Sequence, residues 1–166
     1  MSDNYQISSN FFYRKIDDLI FLLVGADDFG SFQNLWSATS HGVEVSGSWK
    51  GIVDGLIISG NTTYQRYYNT SDSGPFEDFK GDRIPNTPYF FANGAAKYEL
   101  SDVFRKKDKL SFFWNVRYVN SFFVSWESAG LQQFKAEVPN QTTHAFGLTH
   151  RMSIGDIQNA LSFEIQ

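Results

Sequence analysis

The chain contains no cysteine, which excludes a disulfide scaffold, a zinc site built from thiolates and a cysteine nucleophile. It also lacks a long apolar run, because its longest purely apolar stretch, residues 19–24, is far shorter than the ~18 residues that a membrane helix requires. No segment shows the apolar spacing of a helix. If the chain meets a membrane, we therefore expect it to cross as β-strands.

Charged residues are scarce as well, at 19% of the chain, whereas average globular proteins carry ~25%. The net charge is −4 and no cluster of five or more Lys or Arg occurs, so nucleic acid is not an expected partner. The sequence has no Gly-x-Ser-x-Gly, His-Glu-x-x-His, Walker or dinucleotide-binding motif. We therefore predict neither an enzyme nor a cofactor.

Aromatic residues are abundant instead, at 17% of the chain, and many of them alternate with polar residues. One side of residues 110–122 carries Leu110, Phe112, Trp114, Val116, Tyr118 and Phe122. The other side carries Ser111, Asn115, Arg117 and Ser121. A period of two over this length predicts a strand longer than the usual ~5–6 residues, and long enough to cross a bilayer at a tilt, which takes ~9–11 residues.

Similar alternation predicts strands at residues 5–14 (with continuation to 24 left open), 38–50, 55–68, 88–100, 109–122, 141–152 and 158–166. Their polar sides carry mainly Asn, Ser, Thr, Gln and Gly, as the interior of a water-filled barrel does. We therefore predict an all-β fold, an antiparallel meander of about seven long strands that is part of a transmembrane β-barrel. Residues 1–166 would form a single partial barrel domain.

The predicted connections alternate in length. Short ones span residues 51–55, 101–108 and 153–156, and long ones span residues 25–37, 69–87 and 123–140. Short turns at one end and long loops at the other are typical of outer-membrane barrels. Aromatic residues lie at both ends, where girdles would meet lipid headgroups. Next to the long loops they are Tyr64, Tyr67, Tyr68, Tyr89, Phe90, Tyr118 and Phe122, and at the opposite rim Trp49, Tyr98 and Phe104.

Two other architectures fit the same pattern. A soluble lipocalin-like binding protein would turn its apolar face inward. Its exterior would then be the polar face, which carries fewer Lys and Glu residues than an exterior normally does. A small self-contained outer-membrane barrel of about eight strands would act as an adhesin or structural protein.

Several short motifs occur in a definite order. Residues 39–47 read TSHGVEVSG, preceded by FFYRKIDDLI at residues 11–20 and followed by RIPNTP at residues 83–88 and VPNQT at residues 138–142. In this order they resemble the C-terminal half of the TonB-dependent outer-membrane receptors, whose barrel strands include a (R)GVE(L/V) motif. Each motif alone is weak, and the shared order carries the resemblance.

Receptors of this family begin with a signal peptide and a plug domain, and they end with an NL.D..Y segment and one last strand. None of these has a counterpart here. Single-chain bacterial barrels also have an even number of strands, whereas seven are predicted. The resemblance therefore implies a fragment, an internal C-terminal piece without the plug domain, the early strands and the final strand.

The resemblance also implies a function. The complete protein would be a transporter in the bacterial outer membrane that takes up a scarce nutrient such as a ferric siderophore, haem or cobalamin. Its partners would be the lipid of the outer membrane, the small-molecule ligand and the TonB complex, which would act through the missing plug region.

Candidate ligand-binding residues lie in the loop at residues 123–137. Phe123, Trp126 and Phe134 are apolar in a segment that should be surrounded by water, and exposed aromatic residues often mark a binding surface. We predict that they contact the ligand, with packing of the loop against its neighbours as the alternative.

In the strand motif, Gly42 and Gly47 are predicted to be structural, because glycine in a strand allows a bulge or close packing. Glu44 is expected to point into the barrel lumen as a solvated carboxylate. The acidic residues of the preceding long loop have no EF-hand spacing, and the three histidines have no metal-ligand spacing, so no metal site is predicted. Those acidic residues, which we expect to be solvated, are Asp72, Glu77, Asp78 and Asp82.

Overall fold

The computed structural model describes residues 4–24, 30–131, 135–154 and 157–166. The strands are β1 (Tyr5–Val24), β2 (Gly30–Lys50), β3 (Leu56–Asn69), β4 (Phe90–Ser101), β5 (Lys109–Val119), β6 (Phe122–Phe123), β7 (Glu137–Val138), β8 (Gln141–Ile154) and β9 (Ile157–Ile165). A short 3-10 helix, Glu77–Phe79, lies between β3 and β4. Among the described residues, no helix is long and apolar enough to span a bilayer.

Seven strands form one sheet in the order β1-β2-β3-β4-β5-β8-β9, and every pairing in it is antiparallel. β6 and β7 pair separately, as a small hairpin inside the loop between β5 and β8. The predicted antiparallel meander of seven long strands is therefore confirmed. Over the described ranges, β1 and β9 are the two edges of the sheet, and no pairing joins them.

The register of the strands sorts the side chains onto two faces. Trp114 of β5 lies opposite Ala96 of β4 and Phe146 of β8, so these three side chains point to the same side of the sheet. Side chains alternate along a strand, so every second residue from each of them lies on that side too. We call it the apolar face; it includes Tyr5, Ile7, Phe11, Val45, Trp49, Ile58, Tyr64, Phe112, Phe146, Leu161 and Phe163. The polar face includes Ser8, Ser46, Asn61, Asn93, Arg117 and Thr143.

The apolar face is uncovered. Phe11 is 79% exposed, Ile7 75% and Phe163 67%, although full burial of one such side chain stabilises a protein by ~1.5–3 kcal/mol. A contiguous exposed apolar surface of this extent marks contact with another apolar phase or partner. The buried apolar cluster of the described chain lies instead at the loop end of the sheet.

The connection between β1 and β2 differs from the prediction. β1 continues to Val24 and β2 already begins at Gly30, so residues 30–37, predicted as part of a long loop, belong to a strand. The two strands stay paired with each other well past the end of β3, as far as Val24 opposite Gly30. This pairing satisfies backbone groups that an open loop would leave to water.

The end of β5 also differs from the prediction. β5 stops at Val119, and Phe122 pairs with Val138 in the loop hairpin instead of extending β5. The reason is the backbone pairing that the loop makes within itself, which turns the chain away from the sheet.

Several aromatic rings lie on the polar face, and two of them, those of Phe12 and Phe113, each lie over a glycine of the neighbouring strand. Phe12 stands opposite Gly42, and Phe113 stands opposite Gly147. A Cβ atom added to Gly147 would lie 1.9 Å from Cζ of Phe113, and one added to Gly42 would lie 2.7 Å from Cζ of Phe12 and 2.3 Å from the backbone oxygen of Tyr64. Each ring therefore occupies space that a larger residue on the next strand would need.

Gly42→Ala should destabilise the complete protein by ~1–3 kcal/mol, because the added methyl group meets backbone atoms of β3 that cannot move independently of the sheet. Gly47→Ala is the matched control on the same strand, where the nearest atom to an added Cβ is the oxygen of Gln6 at 3.3 Å. Urea unfolding in detergent, followed by circular dichroism, measures both. Equal midpoints for the two variants would show that the contact at Gly42 is unimportant.

One buried carboxylate organises the turn between β4 and β5. Asp108 is 2% exposed and accepts backbone N–H bonds from Val103 at 2.8 Å, Phe104 at 3.1 Å and Arg105 at 3.3 Å. Nε2 of His150 on β8 lies 3.0 Å from its Oδ2. Burial raises the pKa of Asp108, but the hydrogen bonds from His150 and the three backbone groups outweigh burial, and the pKa lies below its ordinary value.

A carboxylate whose pKa is lowered by folding stabilises the fold above its unfolded pKa, and this contribution is lost as the pH falls through the folded pKa. Asp108→Asn should therefore have a lower melting temperature than the wild type at neutral pH. The difference should shrink below about pH 4, near the ordinary pKa of aspartate. Melting curves of both proteins over this range test the prediction. Asp54→Asn, at an exposed position in the neighbouring turn, serves as control; an equal pH-dependent difference for that variant would refute the role of Asp108.

Candidate functional site

The loop between β3 and β4 packs against the loop between β5 and β8. Trp126 stacks on Phe79, with ring centroids 5.1 Å apart and planes 1° from parallel, and its ring lies 5.6 Å from that of Phe76. Ile84 and Ala38 of β2 complete the group, which is buried apart from Phe79. We call these five residues the loop cluster.

The loop cluster lies on the polar face of the sheet. Ala38 belongs to the polar face, where it stands opposite Ile16 of β1 and Asn69 of β3. Ile16 and Tyr67, which lie on the same face, pack against the cluster. Both loops therefore fold across the polar face at one end of the sheet and leave the apolar face open.

Asn69 holds the start of the loop between β3 and β4. Its side chain is fully buried, its Nδ2 donates to the backbone oxygen of Phe76 at 2.6 Å, and its Oδ1 accepts from the backbone N–H of Ser71 at 2.9 Å. An unpaired buried amide would cost ~1–3 kcal/mol, so these bonds fix the first turn of the loop. Sequence reasoning missed Asn69, because no local signal shows that this amide is buried.

Asp82 joins the two loops. Its Oδ2 accepts the backbone N–H of Ser128 at 2.8 Å and the Oγ–H of the same residue at 2.6 Å. Arg83 lies 3.9 Å from Glu127, measured from Nε to Oε1, and its guanidinium sits 4.9 Å from the centre of the Tyr89 ring. The expectation that the acidic residues are merely solvated is therefore wrong for Asp82, whose partner is 46 residues away in sequence.

The aromatic residues predicted to contact ligand differ in burial and in the residues they contact. Trp126 is 5% exposed and covered by Phe79, which is the packing that the sequence left as the alternative. Phe123 is half-buried, with Nζ of Lys135 5.1 Å from its ring centre. Phe134 lies outside the described residues. Ligand contact by this loop stays a prediction, and in the structure Trp126 supports the loop cluster.

A groove of about 770 Å³ runs along the polar face away from the loop cluster. Asn61, Asn93, Arg117 and Thr143 stand opposite one another on four neighbouring strands in its lining, and Nδ2 of Asn93 donates to Oδ1 of Asn61 at 2.9 Å. Arg117 is exposed and makes no hydrogen bond or ion pair with another residue of the described ranges. The groove can therefore bind polar or anionic groups.

The three residues of the strand motif lie on both faces. Gly42 and Glu44 are on the polar face and Gly47 is on the apolar face. Glu44 is exposed and accepts a 3.3 Å hydrogen bond from Nδ2 of Asn10, as suits a solvated carboxylate. β2 keeps a single register with β1 and with β3 around the motif, so neither glycine lies at a bulge, and the close approach of neighbouring atoms is at Gly42.

The histidines are separate from one another. Nδ1 of His144 accepts a 3.2 Å hydrogen bond from Nε1 of Trp114. His150 instead contacts Asp108, next to the turn between β4 and β5. Within the part of the chain that the structure describes, no group of three or more His, Asp or Glu could hold a metal ion.

Comparison with known proteins places this architecture in a class. Residues 2–165 match the family described as TonB dependent receptor-like, beta-barrel, and the chain therefore belongs to that family. Its fold resembles the crystal structure of BauA, the ferric preacinetobactin receptor from Acinetobacter baumannii, with a TM-score of 0.63 and 15% identity. The likeness covers 96% of this chain but only 22% of that receptor. No curated protein matches the sequence significantly.

Asp82→Ala should loosen the contact between the two loops, because it removes both hydrogen bonds to Ser128. We expect roughly tenfold faster amide exchange in residues 120–131, since two such bonds contribute ~1–3 kcal/mol. Hydrogen–deuterium exchange with mass spectrometry measures the effect. Asp78→Ala removes an exposed carboxylate of the same loop and should leave exchange unchanged. Equal protection in both variants would mean that Asp82 does not join the loops.

Proposed function

We propose that this chain is part of the wall of a transmembrane β-barrel in the bacterial outer membrane, in a TonB-dependent receptor that takes up a scarce nutrient. The observation that carries the proposal is an exposed apolar face across a seven-stranded sheet whose other face is polar, in a chain of the receptor family. Family membership favours this function over the small self-contained barrel, the lipocalin-like protein and any enzyme.

The apolar face has the dimensions of a membrane-facing band. On β4, Phe90 near the loop end and Tyr98 near the turn end are separated by ~27 Å at ~3.4 Å per residue, or ~20 Å along the membrane normal at a tilt of ~40°. The apolar band of such barrels is ~25 Å tall. At the loop end, the ring centres of Phe90 and Tyr118 are 5.9 Å apart. At the turn end, Trp49 is 52% exposed. Aromatic residues therefore lie at both ends of the band, as in the aromatic girdles of membrane barrels.

The two edges of the sheet also support a larger barrel. In lipid, every unpaired backbone group costs several kcal/mol because no water is available to bind it, so an open sheet is not stable there. We infer that β1 and β9 pair with strands outside residues 1–166, which makes this chain a partial barrel domain. A plug domain and the region that contacts TonB would lie elsewhere in the receptor.

In this orientation the long loops face the cell exterior and the polar face lines the lumen. The loop cluster then narrows the barrel mouth on this side, because it packs on the polar face. A ligand would meet the loops first and then the groove that contains Asn61, Asn93 and Arg117.

A ferric siderophore is the ligand class that we favour, and haem and cobalamin are the alternatives. The support is the shared fold with BauA, which is a receptor for ferric preacinetobactin. The amides, hydroxyls and guanidinium of the groove suit a hydrophilic chelate with several acceptor oxygens.

Uptake by whole cells tests the proposal. Cells whose only receptor of this class is the complete protein are given, in separate assays, radiolabelled ferric siderophores, haem or cobalamin. We expect one of these ligands to accumulate, and we expect deletion of TonB to abolish the accumulation. Accumulation that persists without TonB, or a receptor recovered in the soluble fraction, would contradict the proposal.

Trp126→Ala in the complete receptor should lower uptake several-fold while the amount of receptor in the membrane stays constant, because the loop cluster loses its central ring. Trp126→Phe retains a ring for stacking on Phe79 and should keep most of the activity. Initial uptake rates, normalised to receptor measured by immunoblot, provide the comparison. Unchanged uptake in Trp126→Ala would show that this loop has no part in ligand capture.

A further inference from the structure

We propose that the apolar face carries a binding site for the phosphate group of an anionic membrane lipid, at its rim next to the long loops. The site consists of Lys15 of β1, His41 of β2, and Arg66, Tyr64 and Tyr68 of β3. We call these residues the rim patch. The inference rests on the proposed placement of the sheet in the outer membrane.

The strand register brings the basic residues of the rim patch together. Arg66 stands directly opposite His41, while Lys15 stands opposite Thr39, which in turn stands opposite Tyr68. Neighbouring strands are ~4.8 Å apart, so the three basic side chains start from adjacent positions on three strands. All three are exposed, and all three belong to the apolar face.

Aromatic residues of the rim patch contact Arg66 and His41. Nε of Arg66 donates to the hydroxyl of Tyr64 at 2.8 Å, and the guanidinium lies 5.9 Å from the centre of the same ring. The ring of His41 lies 6.3 Å from that of Tyr68. A guanidinium has five N–H donors, so the bond to Tyr64 leaves donors for another acceptor.

The carboxylates near the rim patch lie on its loop side. Asp17 is the next residue after Lys15 on the apolar face of β1. Asp72 forms an ion pair with Lys80, and its pKa is lowered by the hydrogen bond from Lys80 and by the charge of Lys15. Within the described ranges Arg66 forms no ion pair, and its side-chain hydrogen bond goes to the neutral hydroxyl of Tyr64.

A lipid phosphate satisfies these conditions. His41 stands directly opposite Arg66, and an imidazole N–H can donate a hydrogen bond to the same anion that the guanidinium binds. Aromatic girdles mark the depth of lipid headgroups, and arginine binds phosphate with two parallel hydrogen bonds. A ligand in the lumen cannot reach this face, so the phosphate must come from the surrounding membrane.

Native mass spectrometry of the complete receptor, titrated with phosphatidylglycerol or with zwitterionic phosphatidylcholine, measures the binding. We expect the receptor to bind phosphatidylglycerol more tightly. Arg66→Gln and Lys15→Gln should each weaken that binding about fivefold, because one basic residue near a membrane surface contributes about that factor. Arg66→Lys keeps the charge but not the paired hydrogen bonds, so it should weaken the binding less than Arg66→Gln does.

Arg14→Gln is the matched control, because it removes a positive charge from the residue before Lys15, on the opposite face of the same strand. It should not change lipid binding. Circular dichroism verifies that each variant is folded.

Equal affinity for the two lipids, or an equal loss in Arg14→Gln, would overturn the inference. Competition by inorganic phosphate at the same concentration would overturn the assignment to a lipid, whereas displacement of phosphatidylglycerol by purified lipid A would support it. A receptor that transports its ligand but shows no lipid preference would overturn this inference alone. A receptor that is absent from the membrane would overturn the proposed function instead.

Discussion

Antiparallel backbone pairing is the constraint on which the rest of this structure depends. The seven long strands keep one continuous register from β1 to β9, and each pairing decides which side of the sheet a residue occupies. A shift of one residue in any strand would move its aromatic residues to the polar face and its amides to the apolar face. The apolar face thus exists only because all six pairs of neighbouring strands keep registers that place apolar residues on the same side. In a membrane, the backbone groups at the two edges of such a sheet also require it to close into a barrel.

The sheet is stabilised differently from the core of a soluble domain. Its apolar residues point outward and are exposed, while the buried apolar cluster lies in loops that fold back over the polar face. The rings of Phe12 and Phe113 on that face are accommodated by glycines on the next strand, which accounts for these two aromatic residues where the alternation calls for polar ones. Strands and loops therefore differ, since the strands expose their apolar residues and the loops supply the packed cluster at one end of the sheet.

The proposed functions lie on the two sides of this arrangement. On the polar side, the groove with Arg117 and the loop cluster would form the path of a hydrophilic ligand in the proposed receptor, and Asp82 and Ser128 hold the loops together. On the apolar side, the rim patch provides positive charge at the depth where lipid headgroups begin. Because one strand contributes to both sides through alternate residues, Lys15 and Arg14 are neighbours in sequence and yet face different surroundings.

The strand type, the antiparallel meander and the assignment of most residues to faces could be predicted from the sequence, because alternation is a local pattern that one strand shows without its neighbours. Trp126 also stood out in the sequence as an aromatic residue in a loop, but its stacking on Phe79 and its burial depend on how the two loops pack together. The early start of β2, the bond between Asp82 and Ser128, and the meeting of His41 with Arg66 were likewise decided by tertiary structure. Each of these depends on which distant segment lies alongside, and a contact between residues far apart in sequence leaves no mark in the local pattern of either one.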